Sequence, residues 1–453
     1  MNAPLRLLLI ADSDSQLHYC QALSCFPADL AVEVTLNVVP RPGIPESLIH
    51  HIESRGEVWR LPLDRLLRHP ALQRFQAIGV FLTGSQIAGF RAAYHKLTKN
   101  SQDQPAILFC GFNGVVLENF EEGISWRLGY DLICLNGPRD QQRLQRLLRH
   151  TPFAQQQTAI TGLRRQMLLP QDSEQPSQPR ARRLIFAEQV LMPRRSVDRC
   201  HMVCILADLA RRSPEWEVII KPRIRPEERT FHTGDEHISQ TIDRSIGVKP
   251  ANLKISYEPI AMLLQSSAIM ATISSTAVFD ALDLGCKPVV MADFGWGGGN
   301  GTPFFKGSGL LRKLEVCDTL DQLDADLTGP NPEWLAWVGY DEQYTPHNLY
   351  TSLQAMWQQP KPVPNLDLPG YQIAQIVSDS SGLLGPTLNQ LRADAEEAIL
   401  QRQWEQAEEL LSNALLQRPE HRNIKRRLKA VRSRNPLIRN VRLALSPRFK
   451  LQS

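Results

Sequence analysis

Short, almost wholly apolar runs of strand length recur along this chain, and most are followed by a segment long enough to hold a helix. They fall at Leu5–Ala11 (LRLLLIA), Val32–Val39, Ala77–Thr83, Ala106–Cys110 and Leu132–Leu135. A second series follows at Arg183–Ala187 (RLIFA), Glu217–Lys221 (EVIIK), Ala268–Ile273 and Pro288–Ala292. A strand that is apolar on both faces must be covered on both faces, and parallel neighbours need long crossovers, so the pattern predicts an α/β fold with parallel sheets. The first run is closed at once by Asp12-Ser13-Asp14-Ser15, residues that cap a following helix, as a βα unit requires.

The two series imply two Rossmann-like domains. Gln166–Arg182 (QMLLPQDSEQPSQPRAR) loses all periodicity and collects Pro, Gln and charge, which marks a linker. The expected organisation is a first α/β domain over 1–165, the linker over 166–182, a second α/β domain over 183–360 and a helical region over 385–453. Two such sheets form a cleft between their carboxyl ends, where open α/β folds take ligands. In the expected helix Ser196–Arg212, Val197, Cys200, Val203, Cys204 and Ala207 share a face that covers a sheet. Trp334, Trp337 and Tyr340 are expected to pack a late helix across the two domains.

Past about residue 385, Ala407, Leu411, Ala414 and Pro419, with Trp404 ahead of them, match the second helix of a tetratricopeptide-like unit. A single unit cannot bury its own faces, so it must pack on the rest of the chain or on another one. The whole chain of 453 residues carries a net charge of only +4, yet Arg418–Ser453 holds twelve Lys and Arg against Glu420 alone. That segment is therefore +11 and the rest of the chain −7. Leu437, Ile438, Val441, Leu443, Leu445 and Phe449 alternate with its arginines, a composition that suits an anionic membrane surface better than a nucleic acid.

Other classes are excluded. The eight cysteines form no CxxC pair and are expected as reduced core thiols; Cys200, His201 and Cys204 fall at helical spacing, without a second cluster to complete a metal site. No metal and no cofactor are expected. The most apolar long stretch, Ile260–Leu284, is interrupted by Gln265, Asp280, Asp283 and six Ser and Thr residues, and falls short of a membrane span. Leu7–Ala11 runs straight into Asp12 and does not make a signal peptide. The expected location is cytoplasmic, with peripheral attachment to the inner membrane through the tail.

Three stretches carry chemistry. In AIMATISSTAVFDALDLGCKPVVMA (268–292) a strand ends at Ile273 and Ser274-Ser275-Thr276 open a helix, so hydroxyls and free backbone N–H groups can cradle a phosphate, with Asp280 placed to accept from ribose hydroxyls. Ser-Ser-Thr is also an ordinary helix cap. After the second buried strand of this series come Lys221-Pro222-Arg223 and a charged stretch reaching His232, cations suited to a phosphate anion. Phe186-Ala187-Glu188-Gln189, with Arg194 and Arg195, leaves the first strand of the series and puts Gln189 at the same sheet edge. The glycine-rich stretch Gly295–Gly301 is expected as a mobile loop over the cleft.

The succession strand, KPR, strand, SST, helix, GCKP, strand resembles the donor-binding half of GT-B glycosyltransferases, especially bacterial polysialyltransferases, keto-deoxyoctonate transferases and teichoic-acid polymerases. ADSDSQL (11–17), NGPRD (136–140), FAEQ (186–189), SSTAVFDAL (274–282), DFG (293–295) and FKGSGLL (305–311) in that order resemble a family of uncharacterised bacterial glycosyltransferases over roughly residues 5–350. The resemblance implies a metal-independent transfer of a sugar from a nucleotide donor held by the second domain. In the cytidine-monophosphate enzymes a Ser-Ser-Thr helix start and a His-Pro motif bind the nucleotide. Ser274, Ser275 and Thr276 match the first, while Pro222-Arg223 stands where the second belongs. The expected donor is a CMP-linked acidic sugar and the expected acceptor a surface polysaccharide or glycolipid. An inverting transfer needs a base for the acceptor hydroxyl and cations for the departing phosphate. Asp12 or Asp14 is the candidate base; Lys221, Arg223 and His232 are candidates for the leaving group. A UDP-sugar transferase, an epimerase of the same fold and a non-catalytic scaffold are the alternatives.

Overall fold

The computed structural model describes residues 4–41, 44–98, 104–117, 120–149, 153–164, 180–190, 192–226, 236–295, 300–358, 388–418 and 420–449. The chain divides into two compact units, Met1–Thr161 with Thr345–Ser453, and Gly162–Tyr344.

In the first unit β1 (Leu5–Ala11), α1 (Asp14–Leu23), β2 (Val32–Val38), α2 (Glu46–Glu53), β3 (Glu57–Trp59), α3 (Leu63–Leu67), β4 (Ala77–Phe81), α4 (Gln86–Thr98), β5 (Ile107–Gly111), α5 (Phe120–Ser125), β6 (Leu132–Leu135), α6 (Pro138–Leu148) and β7 (Gln157–Ile160) alternate, with β1, β2, β4, β5 and β6 on the five apolar runs of the sequence. The strands form one parallel sheet in the order β3-β2-β1-β4-β5-β6-β7. Leu7, Leu9 and Phe109 pack on one face of it and Leu8, Ile10 and Cys110 on the other, which is why these strands read as unbroken apolar runs. Gly79 in β4 is needed for packing: a Cβ there would lie 2.5 Å from the Phe109 ring.

In the second unit β8 (Ala181–Ala187), α7 (Ser196–Arg212), β9 (Glu217–Lys221), α8 (Ile238–Ser245), β10 (Leu253–Ile255), α9 (Ile260–Ser266), β11 (Ser267–Thr272), α10 (Ala277–Asp283), β12 (Lys287–Met291), β13 (Leu311–Arg312), α11 (Leu320–Asp326) and α12 (Pro332–Val338) follow. Their sheet, also parallel, has the order β10-β9-β8-β11-β12-β13. Gly162 and Tyr344, the first and last residues of this unit, touch; a Cβ on Gly162 would come 2.3 Å from the Tyr344 carbonyl oxygen, and its φ of +78° is one only glycine adopts freely.

Several expectations change. Helix α13 (Pro346–Gln358) was expected within a second domain of 183–360, but Leu349 and Leu353 bury themselves in the core of the first sheet and Asn348 Nδ2 donates to the Ile160 carbonyl, so it groups with the first unit. On α7 the buried face is Met202, Val203, Leu206, Leu209 and Ala210, and Val197 is 77% exposed. The start of that helix meets α8 instead: Arg244 donates to Ser196 Oγ and to Cys200 Sγ, and Cys204 Sγ donates to the Ser245 carbonyl. Cys25, Cys200, Cys204 and Cys317 are half-buried rather than core thiols. Among the described residues no group of three or more His, Cys, Asp or Glu is placed to hold a metal ion. Trp334 and Tyr340 both stack on Phe279 within the second unit, with Phe304 and Phe305 against Trp334. The linker expected over 166–182 lies almost entirely outside the described residues; its last two, Ala181 and Arg182, already belong to β8. Trp296–Gly299 of the glycine-rich stretch lie outside them too.

The segment expected as a basic tail is largely helical. After α14 (Leu388–Leu400) and α15 (Trp404–Gln417), where the sequence predicts a tetratricopeptide-like unit, come α16 (Arg422–Val431) and α17 (Pro436–Ala444). Ala407, Leu411 and Ala414 are fully buried at the centre of this bundle. Within the first unit the bundle docks on α5: Glu121 accepts from Arg432 at 2.7 Å and from Arg143 at 3.0 Å, Lys425 pairs with Glu122 at 2.9 Å, and Leu416 joins the core beneath α6. Burial raises the Glu121 carboxyl, but Arg432 and Arg143 outweigh it and hold it at about 2. Inside the bundle Arg427 and Glu396 form a buried ion pair, with Arg427 also donating to Ser446. No described helix is long and apolar enough to cross a membrane.

Candidate functional site

In each sheet the strand order reverses once. Strands β8, β9 and β10 run outward on one side, β11, β12 and β13 on the other, so the crevice at the carboxyl ends of β8 and β11 is a topological switch point, where helices on opposite faces leave room for a ligand. Ala187, Lys221 and Thr272 stand level at this edge, because Ala187 pairs with Lys221 and Phe186 with Ala271.

Just past β8, Gln189 spans the crevice. Its Oε1 accepts the Ser274 backbone N–H at 2.9 Å and faces Thr272 Oγ1 at 3.4 Å; that hydroxyl donates to the Ala187 carbonyl at 2.9 Å. Gln189 is itself held by a turn in which the Met192 N–H bonds back to its carbonyl. Arg199, from the first turns of α7, donates to the carbonyls of Gln189 at 3.2 Å and Val190 at 3.0 Å and to Glu188 Oε1 at 2.8 Å. Glu188 and Arg199 are both buried, so one guanidinium satisfies the turn and the carboxylate together. Sequence reasoning missed Arg199, since an arginine in an amphipathic helix carries no sign of its partner.

Ser274, Ser275 and Thr276 are placed where the sequence puts them, before α10, but their groups are not all available. The Ser274 N–H is taken by Gln189 and the Ala277 N–H by Ser275 Oγ at 3.2 Å. The free backbone cradle is smaller than expected, because Gln189 and the Ser275 hydroxyl occupy two of its N–H groups. What the loop does present is Ser274 Oγ, buried and without a hydrogen-bond partner among the described residues, beside the half-buried Ser275 and Thr276. Asp280 is half-buried one turn further along α10. Lys221 Nζ donates to the Pro222 carbonyl at 2.6 Å, and Arg223 is exposed with its N–H facing Glu188 Oε2 at 3.5 Å. His232 lies outside the described residues. The histidine seen at this edge is His237, which sequence reasoning did not single out. Its Nδ1 accepts the Ser239 N–H at 3.2 Å, its Nε2 therefore donates to the Ile224 carbonyl at 3.1 Å, and its ring stacks on Tyr257, fixing the chain that leaves β9.

The first sheet reverses between β1 and β4, and Asp12 sits there. It is fully buried: one carboxylate oxygen accepts from Thr83 Oγ1 at 3.0 Å, the other from Arg41 at 2.8 Å, and its own N–H donates to Gln16. Asp12 is thus engaged in joining β1 to β4. Asp14, half-buried at the first position of α1, lies at the same edge as Ser15, whose hydroxyl accepts from Asn113 at 2.9 Å. In NGPRD, Asn136 donates to the Gly114 carbonyl and to Asp140, which also pairs with Arg139. Burial raises the Asp140 carboxyl despite Arg139. These bonds join the loops after β5 and β6.

A family model described as "Putative glycosyltransferase (DUF6716)" matches residues 7–356. Comparison with curated proteins finds no match. Among solved structures, a "putative UDP-N-acetylglucosamine 2-epimerase" from Listeria monocytogenes is 12% identical, covers 80% of this chain and 99% of its own, and superposes with a TM-score of 0.50. MnaA of S. aureus, solved with UDP, is 10% identical over 79% of this chain and 98% of its own, at 0.49. UGT89C1 of Arabidopsis thaliana, complexed with UDP-L-rhamnose, is 14% identical over 79% and 100%, at 0.45. The first of these shows the fold: two Rossmann-like domains of the GT-B kind, to which this chain adds its helical C-terminal region.

Proposed function

We propose, for a chain that belongs to the family "Putative glycosyltransferase (DUF6716)", that it moves a sugar from a nucleotide donor bound at the β8–β11 edge to a hydroxyl acceptor. The observation that carries this is Ser274: a buried hydroxyl with no described partner, at a switch point where α/β sheets take ligands. A buried hydroxyl costs free energy unless something bonds it, and a phosphate oxygen is an acceptor of the right kind. Ser275 and Thr276 add hydroxyls, Lys221 and Arg223 come from the adjacent strand end to stabilise the departing phosphate, and Asp280 accepts from the ribose. Gln189 and Arg199 hold this edge in place beforehand, so little reorganisation accompanies the reaction.

In the transfer the acceptor oxygen bonds to the anomeric carbon, the bond from that carbon to the phosphate oxygen breaks, and the acceptor proton passes to a carboxylate. Asp14 is our candidate for that base, since Asp12 is engaged by Arg41 and Thr83. The proposed donor is a CMP-linked acidic sugar and the acceptor a surface polysaccharide or glycolipid, with His232 as a further leaving-group candidate. The test is the rise in melting temperature with CMP, CDP, UDP and GDP side by side, in the native protein and in Ser274→Ala. A CMP-selective rise, lost in the variant, supports the donor class. A selective rise with a diphosphate keeps the transferase and replaces the donor. No rise with any nucleotide overturns the proposal in favour of a non-catalytic scaffold.

A further inference from the structure

The last helix of the bundle packs the wrong way round for an amphipathic helix. On α17, Arg439 lies 4.3 Å over the Trp404 ring and donates to the Ser433 carbonyl at 2.8 Å, and Leu443 packs on the bundle core, so these residues mark the inward side. At 100° per residue the opposite side holds Leu437, Val441 and Leu445, with Ile438 beside them. They are 76%, 58%, 78% and 44% exposed, and no residue of α17 is fully buried. The end of a helical stack ordinarily has a polar outer face, because that face must meet water. Here it is a contiguous apolar stripe, of the sort that marks an interaction site.

Charge decides what meets the stripe. Arg442 borders it, Arg434 and Arg448 stand at its two ends, and Arg422, Arg426 and Lys429 line the exposed side of α16 at helical spacing; all six are exposed. A second copy would bring the same cations against them and be repelled. A nucleic acid would satisfy the cations and leave three aliphatic side chains in water. We infer that α17 lies on an anionic phospholipid surface, with Leu437, Val441 and Leu445 seated at the boundary between headgroups and acyl chains and the arginines among the headgroup phosphates. This inference is independent of the proposed transfer reaction.

The full-length protein is floated with phosphatidylglycerol–phosphatidylcholine vesicles and with pure phosphatidylcholine vesicles, at low and at high salt. It is expected to rise with the anionic vesicles only, and less at high salt. Val441→Asp/Leu445→Asp should lower vesicle binding about tenfold or more at an unchanged melting temperature, since both side chains are in water in the free protein. Failure to float at low salt overturns the inference, as does equal flotation of the variant. A native dimer that the variant dissolves assigns the stripe to a second copy instead. Binding of duplex DNA without binding of vesicles assigns the cations to nucleic acid.

Discussion

Gln189 Oε1 accepts the Ser274 backbone N–H at 2.9 Å and thereby joins the end of β8 to the end of β11 across the switch point. The first sheet has the same device, in which Asp12 at the end of β1 accepts from Thr83 just beyond β4. In both, a short polar side chain closes the gap that the reversal of strand order opens. The neutral amide stands at the edge assigned to the anionic donor, and the paired carboxylate at the other.

That neutrality is testable. Gln189→Glu keeps an acceptor for Ser274 but places a negative charge beside the donor phosphates. Repulsion at this range is worth about 1–4 kcal/mol, so nucleotide affinity should fall about tenfold or more while the fold persists. Titration calorimetry with the nucleotide found by thermal shift measures it; unchanged affinity would place the phosphates elsewhere.

Arg199→Met should be among the most destabilising single changes in the second unit. It leaves Glu188 buried without its cation and frees the carbonyls of Gln189 and Val190, a loss of about 3–5 kcal/mol. Adding Glu188→Met to the same chain should recover much of that loss. Urea midpoints of the two variants, followed in parallel, give the comparison.

The two aspartates after β1 should separate. Asp12→Asn leaves Arg41 without its carboxylate and should cost about 3 kcal/mol of stability. Asp14→Asn should cost less stability than Asp12→Asn, since Asp14 is half-buried where Asp12 is fully buried. Its sugar transfer should drop about 100-fold or more if it removes the base. Near-normal turnover of Asp14→Asn would take the base away from this residue.

Docking of the bundle should weaken in acid. The Glu121 carboxyl is held at about 2 against an ordinary value of 4.5, so its ion pairs contribute fully above pH 4.5 and are lost as pH falls toward 2. A shift of that size is of the order of 3 kcal/mol. Melting temperature measured from pH 6 to about pH 3 should decline in the native protein and less steeply in Glu121→Gln.

The strands legible in the sequence are the inner ones. Leu132–Leu135 is buried along its whole length and announces itself, while Leu311–Arg312 and Glu57–Trp59, half-exposed on their sheet margins, do not. Gln157–Ile160 and Leu253–Ile255 were missed on the same ground: all four are edge strands, and an edge is covered on too few sides to need an apolar run. At the site, residue types at strand ends could be placed because parallel topology sends every strand end to one side. Which hydrogen bond each group makes could not: Asp12 and Asp14 are two residues apart, and only the fold shows that the first faces Arg41 and Thr83. Arg199 and His237 act on loops distant in sequence, and nothing local marks them.

The match to the family model stops at residue 356, yet Glu121, well inside it, is neutralised in part by Arg432, well beyond it. A relative that ends before the helical bundle would keep a buried carboxylate on α5 with one of its two cations gone. Such relatives should therefore carry a neutral side chain at position 121, and those with the bundle an acid. The extension would then have left its imprint within the enzyme body as a pair of positions, 311 residues apart, that change together.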